Sequence, residues 1–328
     1  MIPEKLRNHL RIPAMVAPMF LVSGPDLVVE SCKAGLVGSF PTLNQRTVAG
    51  LEQWLVEIRS RLNAADAPFG AQFGIHRTNP RQAPDLALAI EYQVPIVITT
   101  LGITHEITDA IHAYGGLVFH DATTVKHAVK AVDANVDGVI AVSQGAGGHA
   151  GTINPFAFLT ELRHVVGDRI LILAGAISNG RSVAGAIAAG ADMVSLGTCF
   201  IPTIESMAPI EQKQMVVDST AADIVYTDEV SGIGASFLGQ TLKKFKRTNE
   251  PKEKFDVAEE ISPKLWRDYW SAGQGVGGSR EIIPARMLCE RLIEDYAVGL
   301  TRAETGAGRR TTIVDARAQG TIQGRSGR

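Results

Sequence analysis

The chain has 328 residues, 45% of them hydrophobic and 20% charged, with a formal net charge of −2. This length suits two average domains or one large barrel, and the composition is typical of a soluble globular enzyme. The small net charge creates no long-range field that would attract nucleic acid or an anionic membrane, so we expect neither as a partner.

The cysteines and the N-terminus restrict the compartment and the type of site. Cys32, Cys199 and Cys289 are odd in number and far apart, which argues against a disulfide framework and against zinc, so we expect no metal. The opening MIPEKLRNHL lacks the apolar segment of a signal peptide, and no run of about 18 apolar residues follows. We therefore expect a cytoplasmic protein.

Short apolar runs recur along the first two hundred residues, each followed by a polar or glycine-rich turn. They occupy residues 14–20, 35–40, 68–75, 95–102, 116–122, 138–145, 170–176 and 193–200. Continuous hydrophobicity predicts parallel strands buried on both faces, and capped helical patterns such as GPDLVVESCKAG lie between the runs. Eight such units predict an α/β fold, a TIM (β/α)8 barrel over 1–202. A doubly wound Rossmann sheet is the alternative, but APMFLVSG after the first run does not match its glycine fingerprint.

The pattern changes after residue 202. We expect an inserted helical lobe over the barrel mouth at 203–263, which includes the charged stretch KKFKRTNEPKEKF. A closing segment and a final helix that returns to the barrel are expected at 264–300. The Gly-, Arg- and Thr-rich residues 301–328 are expected to form a solvated tail.

Barrel chemistry belongs at the C-terminal ends of the strands. After the seventh and eighth runs, Gly175, Ala176, Gly197 and Thr198 would expose backbone N–H groups near helix starts, which predicts a phosphate site. After the sixth run comes QGAGGHAG, residues 144–151, in which one histidine stands among glycines and alanines. So much glycine suits either a flexible loop or a loop to which something must come close, and in the second case His149 is a candidate catalytic residue.

Several of these segments together resemble the nitronate monooxygenases, once called 2-nitropropane dioxygenases. The related FMN-dependent enoyl-ACP reductases share the pattern. The similarity rests on VAPMF, GAGGHAG, AGAISNG, SLGTCF, DIVYTDEVSGIGAS and WSAGQGVG, in order through about residues 12–295. The resemblance implies a TIM barrel that holds FMN without a covalent bond.

The resemblance also implies a role for individual residues. His149 would face the substrate as the catalytic residue, while the others bind the cofactor. The implied FMN contacts are Ala17, Pro18 and Met19 against the ring, Gln72 near its polar edge, Gly147 and Gly148 in the loop that approaches it, Gly175, Ala176, Gly197 and Thr198 at the phosphate, and Gln274 and Gly275 closing the phosphate end.

Two positions depart from the family pattern. Asp121 stands where several relatives carry a lysine or another polar residue, and a carboxylate there would oppose the negative charge of reduced flavin. We therefore expect this side chain to have turned away or changed role. Cys199 replaces a common arginine and is expected to be a small buried residue. His120 is expected to pack or to contact the ribityl chain rather than to act in catalysis.

The implied activity is oxidation of alkyl nitronates, small-molecule substrates, with O2. An alternative within the same fold is NAD(P)H-driven reduction of a quinone or an enoyl thioester, because both reactions need the same flavin-binding site. An alternative from another class is a flavin-free phosphate-binding barrel, which explains the seventh and eighth turns but not AGGHAG. An oligomer is compatible with all three.

Overall fold

The computed structural model of the protein describes residues 1–243 and 263–319. All eight predicted strands are present, each inside or overlapping its apolar run. They are β1 (Ala14–Val16), β2 (Gly38–Pro41), β3 (Phe69–Gly74), β4 (Ile96–Thr100), β5 (Leu117–Ala122), β6 (Gly138–Val142), β7 (Ile170–Ala174) and β8 (Met193–Leu196).

The strands form one parallel sheet that curves into a barrel. Its order is β1-β8-β7-β6-β5-β4-β3-β2, so every neighbour in the sheet is also a neighbour in the chain except where β8 meets β1. A parallel bridge between Met15 and Val37 joins the two ends of the sheet, and the Val16 N–H donates to the Val37 carbonyl at 2.8 Å. The prediction of a TIM barrel is confirmed.

Helices alternate with the strands, as expected for (β/α) units. Thr47, Thr124, Asn154 and Asn179 each accept a first-turn N–H through the side chain, which fixes where four of these helices begin. The helices up to β8 are α1 (Glu4–Arg7), α2 (Pro25–Lys33), α3 (Val48–Arg61), α4 (Gln82–Glu91), α5 (His105–His112), α6 (Val125–Asp133), α7 (Pro155–Val166) and α8 (Gly180–Ala188).

Two apolar layers lie on either side of the sheet, because strand side chains alternate between its faces. The outer layer packs between strands and helices and includes Val97, Val118 and Val139. The inner layer fills the barrel, and its upper residues Ile98, Phe119, Ile140 and Ile172 are at most 2% exposed. These four side chains form a closed floor inside the barrel.

The segment after β8 is not wholly helical. It contains α9 (Ile210–Asp218), β9 (Ile224–Thr227), β10 (Ala235–Leu238) and α10 (Gly239–Leu242). β9 pairs with β10, and β10 pairs with a two-residue strand, Gly148–His149, in an antiparallel sheet. The reason is local: IVYT is rich in β-branched and aromatic residues, and the buried ASFL has no helical spacing. Most of the charged stretch predicted for this lobe lies outside the described residues.

The chain then returns to the barrel through α11 (Pro263–Asp268) and α12 (Ala285–Gln319). The backbone of α12 is helical through Gln319, so the helix runs into the segment expected as a tail, and residues 320–328 lie outside the described part. Gly180 of α8 leaves room for the α12 backbone, which a Cβ at that position would overlap. None of the helices in 1–243 and 263–319 is both long and apolar enough to cross a membrane.

Candidate active site

A cup opens above the apolar floor at the C-terminal ends of the strands. The last inward positions of five neighbouring strands are half-buried, in contrast to the fully buried floor beneath them. These positions are Gln72, Thr100, Asp121, Val142 and Ala174. Val142 and Ala174 pack against the inner apolar layer, which confirms that this row faces the barrel interior. This end of the barrel is therefore the candidate site for a ligand.

The loop after β1 carries Ala17, Pro18 and Met19 and is fixed by one side chain that sequence reasoning missed. Asn44 accepts the Leu21 N–H at 2.8 Å and donates to the carbonyl oxygens of Met19 and Ser23 at 3.1 and 2.7 Å. These bonds hold Leu21 at φ 61°, a conformation that costs free energy for a leucine. A lone asparagine in a polar turn gives no sequence signal of this role.

The loops after β1 and β8 meet at the cup. A Cβ built on Gly197 would lie 3.5 Å from the Ala17 Cβ and 3.6 Å from the Met19 sulfur. The predicted ring contacts and one of the predicted phosphate contacts are therefore neighbours.

The turns after β7 and β8 offer backbone donors, as the sequence predicts, with one exception. In residues 1–243 and 263–319, no acceptor bonds the N–H groups of Gly175, Gly197 and Thr198. The Ala176 N–H instead donates to the Gly145 carbonyl at 3.2 Å, in a turn where Ala176 has φ 56°. Three of the four predicted amides are thus available to an anion, and the fourth holds the β6 loop.

The glycines of the β6 loop serve the closing segment as well as the cup. The Gly145 carbonyl also accepts the Gln274 N–H at 2.9 Å, and a Cβ on Gly147 would lie only 2.9 Å from the Gly273 nitrogen. Gly147 therefore makes room for backbone, whereas the resemblance implies that its small size serves the cofactor. Gly148 makes no such room for backbone. Its φ is +69°, and no atom lies within 4 Å of a Cβ added there.

The closing segment packs against the turns after β7 and β8. The buried Gly273 N–H donates to the Thr198 hydroxyl oxygen at 2.8 Å. Gln274 is exposed beside Gly145, and Gly275 is buried against the turn at Ile177 and Ser178. The structure brings Gln274 and Gly275 to the β7 turn, and their contact with a phosphate stays a prediction.

His149 is half-buried and held by the lobe rather than by the barrel. Its backbone pairs with Ala235, and its Nε2 lies 3.3 Å from the Ser231 hydroxyl. Its ring meets Trp266 edge to face with centroids 5.4 Å apart, and Trp266 stacks on Phe237. Ser231 was missed by sequence reasoning, because a serine in a glycine-rich turn carries no mark of its partner.

Asp121 faces the cup, so of the two expected outcomes its side chain has not turned away, and a change of role stays a prediction. Gln72 Nε2 donates to Asp121 Oδ2 at 2.8 Å, and the Thr100 hydroxyl also hydrogen-bonds the carboxyl group. Burial raises the pKa of Asp121 to about 7 despite these two donors. Near neutral pH this group is therefore a mixture of acid and carboxylate.

The side chain of the preceding residue, His120, points away from the barrel interior and toward the helices. Its Nδ1 lies 2.8 Å from the Thr99 hydroxyl in the layer beneath the helices, and burial lowers its pKa to about 4. Cys199 is 3% exposed, and burial raises the pKa of its thiol to about 12. Neither side chain has the exposure that contact with a substrate needs. No group of three or more His, Cys, Asp or Glu side chains suited to a metal occurs in the described ranges.

Comparison with known proteins decides the family. The family model described as nitronate monooxygenase matches residues 5–295, which covers the barrel, the lobe and the start of α12. The chain belongs to the nitronate monooxygenase family. Members of this family are flavin-dependent oxidoreductases.

Individual relatives agree with this placement. Nitronate monooxygenase of Neurospora crassa is 28% identical over 62% of this chain and 63% of its own length. A Rhodococcus jostii protein named (3aS,4S,5R,7aS)-5-hydroxy-7a-methyl-1-oxo-octahydro-1H-indene-4-carboxyl-CoA dehydrogenase is 28% identical over 70% of this chain and 63% of its own. The chain thus aligns with somewhat less than two thirds of these two relatives. The solved nitroalkane oxidase of Streptomyces ansochromogenes superposes with a TM-score of 0.81 at 26% identity, covering 92% of this chain and all of that one.

Proposed function

We propose that the protein is an FMN-dependent oxidoreductase that oxidises alkyl nitronates with O2. The observation that supports this most is the pair of turns after β7 and β8, whose unpaired amides border an open cup with an apolar floor. An anion-binding end beside the half-buried strand ends fits a phosphorylated aromatic cofactor. The family to which the chain belongs points to the same cofactor class.

Different groups of these residues would contact different parts of FMN. The N–H groups of Gly175, Gly197 and Thr198 would hold the phosphate, close to the N-terminus of α8, where the helix dipole favours an anion. Ala17, Pro18 and Met19 would lie against the ring, since their loop contacts Gly197. Gln274 and Gly275 would cover the phosphate end through the closing segment.

Bound FMN would supply the electron acceptor for oxidation of the substrate. The work of the chain is to bind and orient. His149 can donate a hydrogen bond to an oxygen of the nitro group, and with a neutral nitroalkane it can take the proton from the carbon. The contacts with Ser231 and Trp266 restrict the imidazole to a narrow range of orientations. Gly148, with open space beside it, keeps side chains away from the same region.

A second candidate function is NAD(P)H-driven reduction of a quinone or an enoyl thioester. The observation in its favour is the Rhodococcus relative, whose name describes a dehydrogenase acting on a CoA thioester. The third reading, a flavin-free phosphate barrel, has no support from the relatives, which are oxidoreductases by name.

The flavin content of the purified protein tests the proposal. We expect a yellow protein that releases FMN on heating, at one molecule per chain and with an intact phosphate. A colourless protein that takes up no FMN on reconstitution would remove the basis for the proposed function.

A further inference from the structure

The carboxyl group of Asp121 belongs to a small polar cluster at the centre of the cup. It lies at the C-terminal end of β5, above Phe119 on the same face. Gln72 on β3 and Thr100 on β4 reach it from the two preceding strands. All three side chains are half-buried, so one side of the cluster packs on the floor and the other opens to the cup.

No charged group balances this carboxyl among the described residues. On the strands around it, the inward positions at the same height are Gln72, Thr100 and Val142, and none of them titrates. His120, the adjacent titratable residue, faces the helices and bonds Thr99. Burial and the two hydrogen bonds are the causes that shift the pKa of Asp121, and no charge contributes to that shift.

The hydrogen bond from Gln72 uses one of the two carboxyl oxygens of Asp121. Gln72 occupies Oδ2 as a donor, so a proton on the carboxyl group is favoured on the other oxygen, Oδ1. A protonated carboxyl is a donor, and an ionised one is a full negative charge facing the cup. The same side chain can therefore attract or repel an anionic ligand.

We propose that Asp121 selects the charge of the ligand: its protonated form donates a hydrogen bond to an anionic oxygen of the substrate, and its ionised form excludes such anions. This inference rests on the proposed function, since a nitronate is the anion in question, and it makes carboxylates of similar size ligands of the same cup. Because the pKa of Asp121 is about 7, the change falls in the neutral range.

The first experiment observes Asp121 itself in the flavin-free chain. Infrared difference spectra of the protein against Asp121→Asn should show one carboxyl group that titrates near pH 7. Gln72→Leu removes a donor that stabilises the ionised form, so it should move this titration to higher pH. Titration below pH 5 would overturn the proposal, and this readout is independent of any flavin activity.

The second experiment measures propionate binding by calorimetry between pH 6 and pH 9. Affinity for the unaltered protein should be constant below pH 7 and fall about tenfold per pH unit above it, as expected for one linked proton. Asp121→Asn, which cannot ionise, should bind with little change across the range, and Asp121→Ser is a second variant for the case of poor folding. Propionamide, a neutral analogue, should bind independently of pH.

A matched control separates Asp121 from His149, whose imidazolium could also favour an anion. His149→Gln should retain the fall in propionate affinity above pH 7. If that fall persists in Asp121→Asn and disappears in His149→Gln, the selecting group is the histidine and the proposal is wrong. A colourless protein that passes both experiments would refute the proposed function and the role of the nitronate, while the selection of anions by Asp121 would be retained.

Discussion

The buried N–H of Gly273 donates to the Thr198 hydroxyl oxygen at 2.8 Å, across 75 positions of the chain. This bond joins the turn after β8 to the closing segment that follows the lobe. A Cβ on Gly273 would overlap the Gly145 carbonyl, so the β6 loop is packed against the same backbone. Three separate loops thus form one rigid end of the cup, where the phosphate is proposed to bind.

Thr198→Val should weaken this end of the cup. Valine has nearly the same shape but cannot accept the Gly273 N–H, so a buried donor loses its partner at a cost of about 1–3 kcal/mol in the free energy of unfolding. Urea denaturation measures the loss, and Thr198→Ser should retain most of the stability because it keeps the hydroxyl. Equal stability of the valine and serine variants would show that the bond is unimportant.

Gly197→Asp should weaken FMN binding. Gly197 has room for a side chain, since an added Cβ makes only ordinary contacts with Ala17 and Met19. A carboxylate beside the proposed phosphate amides would repel the phosphate, whereas Gly197→Asn adds nearly the same volume without charge. We expect at least roughly tenfold weaker FMN binding for the aspartate than for the asparagine variant, by fluorescence titration. Equal affinities would place the phosphate elsewhere.

Asn44→Ala should loosen the loop that carries Met19. Its side chain makes three hydrogen bonds to that loop and holds Leu21 in a left-handed conformation. We expect a loss of about 1–3 kcal/mol in the free energy of unfolding and a lower affinity for FMN. Asn44→Asp keeps the acceptor for the Leu21 N–H but turns a carboxylate oxygen toward two carbonyl oxygens, so its loss should be at least as large as that of alanine. An alanine variant with normal stability would contradict the assigned role.

Asp121→Asn should stabilise the protein more at pH 8 than at pH 5. The pKa of Asp121 is raised from its ordinary value of 3.8 to about 7 in the folded chain. The unfolded chain therefore releases this proton at a lower pH, and the stability of the unaltered protein falls as pH rises from about 4 to about 7. Asparagine removes this dependence, so the stability advantage of the variant should grow by about 2–3 kcal/mol between pH 5 and pH 8. Thermal unfolding at both pH values measures it, and a constant difference would contradict the raised pKa.

The sequence predicted the barrel well because its strands are buried on both faces and therefore appear as continuous apolar runs. It also predicted the turns at Gly175 and Gly197, since the fold places such turns at one end. The lobe strands β9 and β10 were missed, because four-residue strands in an inserted segment leave a weak pattern. The partners of Gly147, Ser231 and Asp121 could not be predicted, since each depends on a residue distant in the chain.

His149→Ala should separate binding from chemistry. The imidazole is held by Ser231 and Trp266 in the lobe, away from the proposed phosphate amides, so FMN content should be unchanged. A positioned general base contributes about 10²- to 10⁴-fold, and only a neutral nitroalkane needs one. The variant should therefore lose far more activity on nitroethane than on ethyl nitronate, in oxygen-uptake assays. Negligible losses on both would leave the histidine as a structural residue.

The central claim is that a nitronate is the electron donor to FMN in this protein. Anaerobic stopped-flow mixing of the flavin-loaded protein with ethyl nitronate, NADH and NADPH in separate experiments tests it most directly. We predict that ethyl nitronate bleaches the visible flavin band faster than either nicotinamide and that admission of O2 restores the band. Rapid bleaching by NADH or NADPH, with no response to ethyl nitronate, would contradict the account and favour the reductase instead.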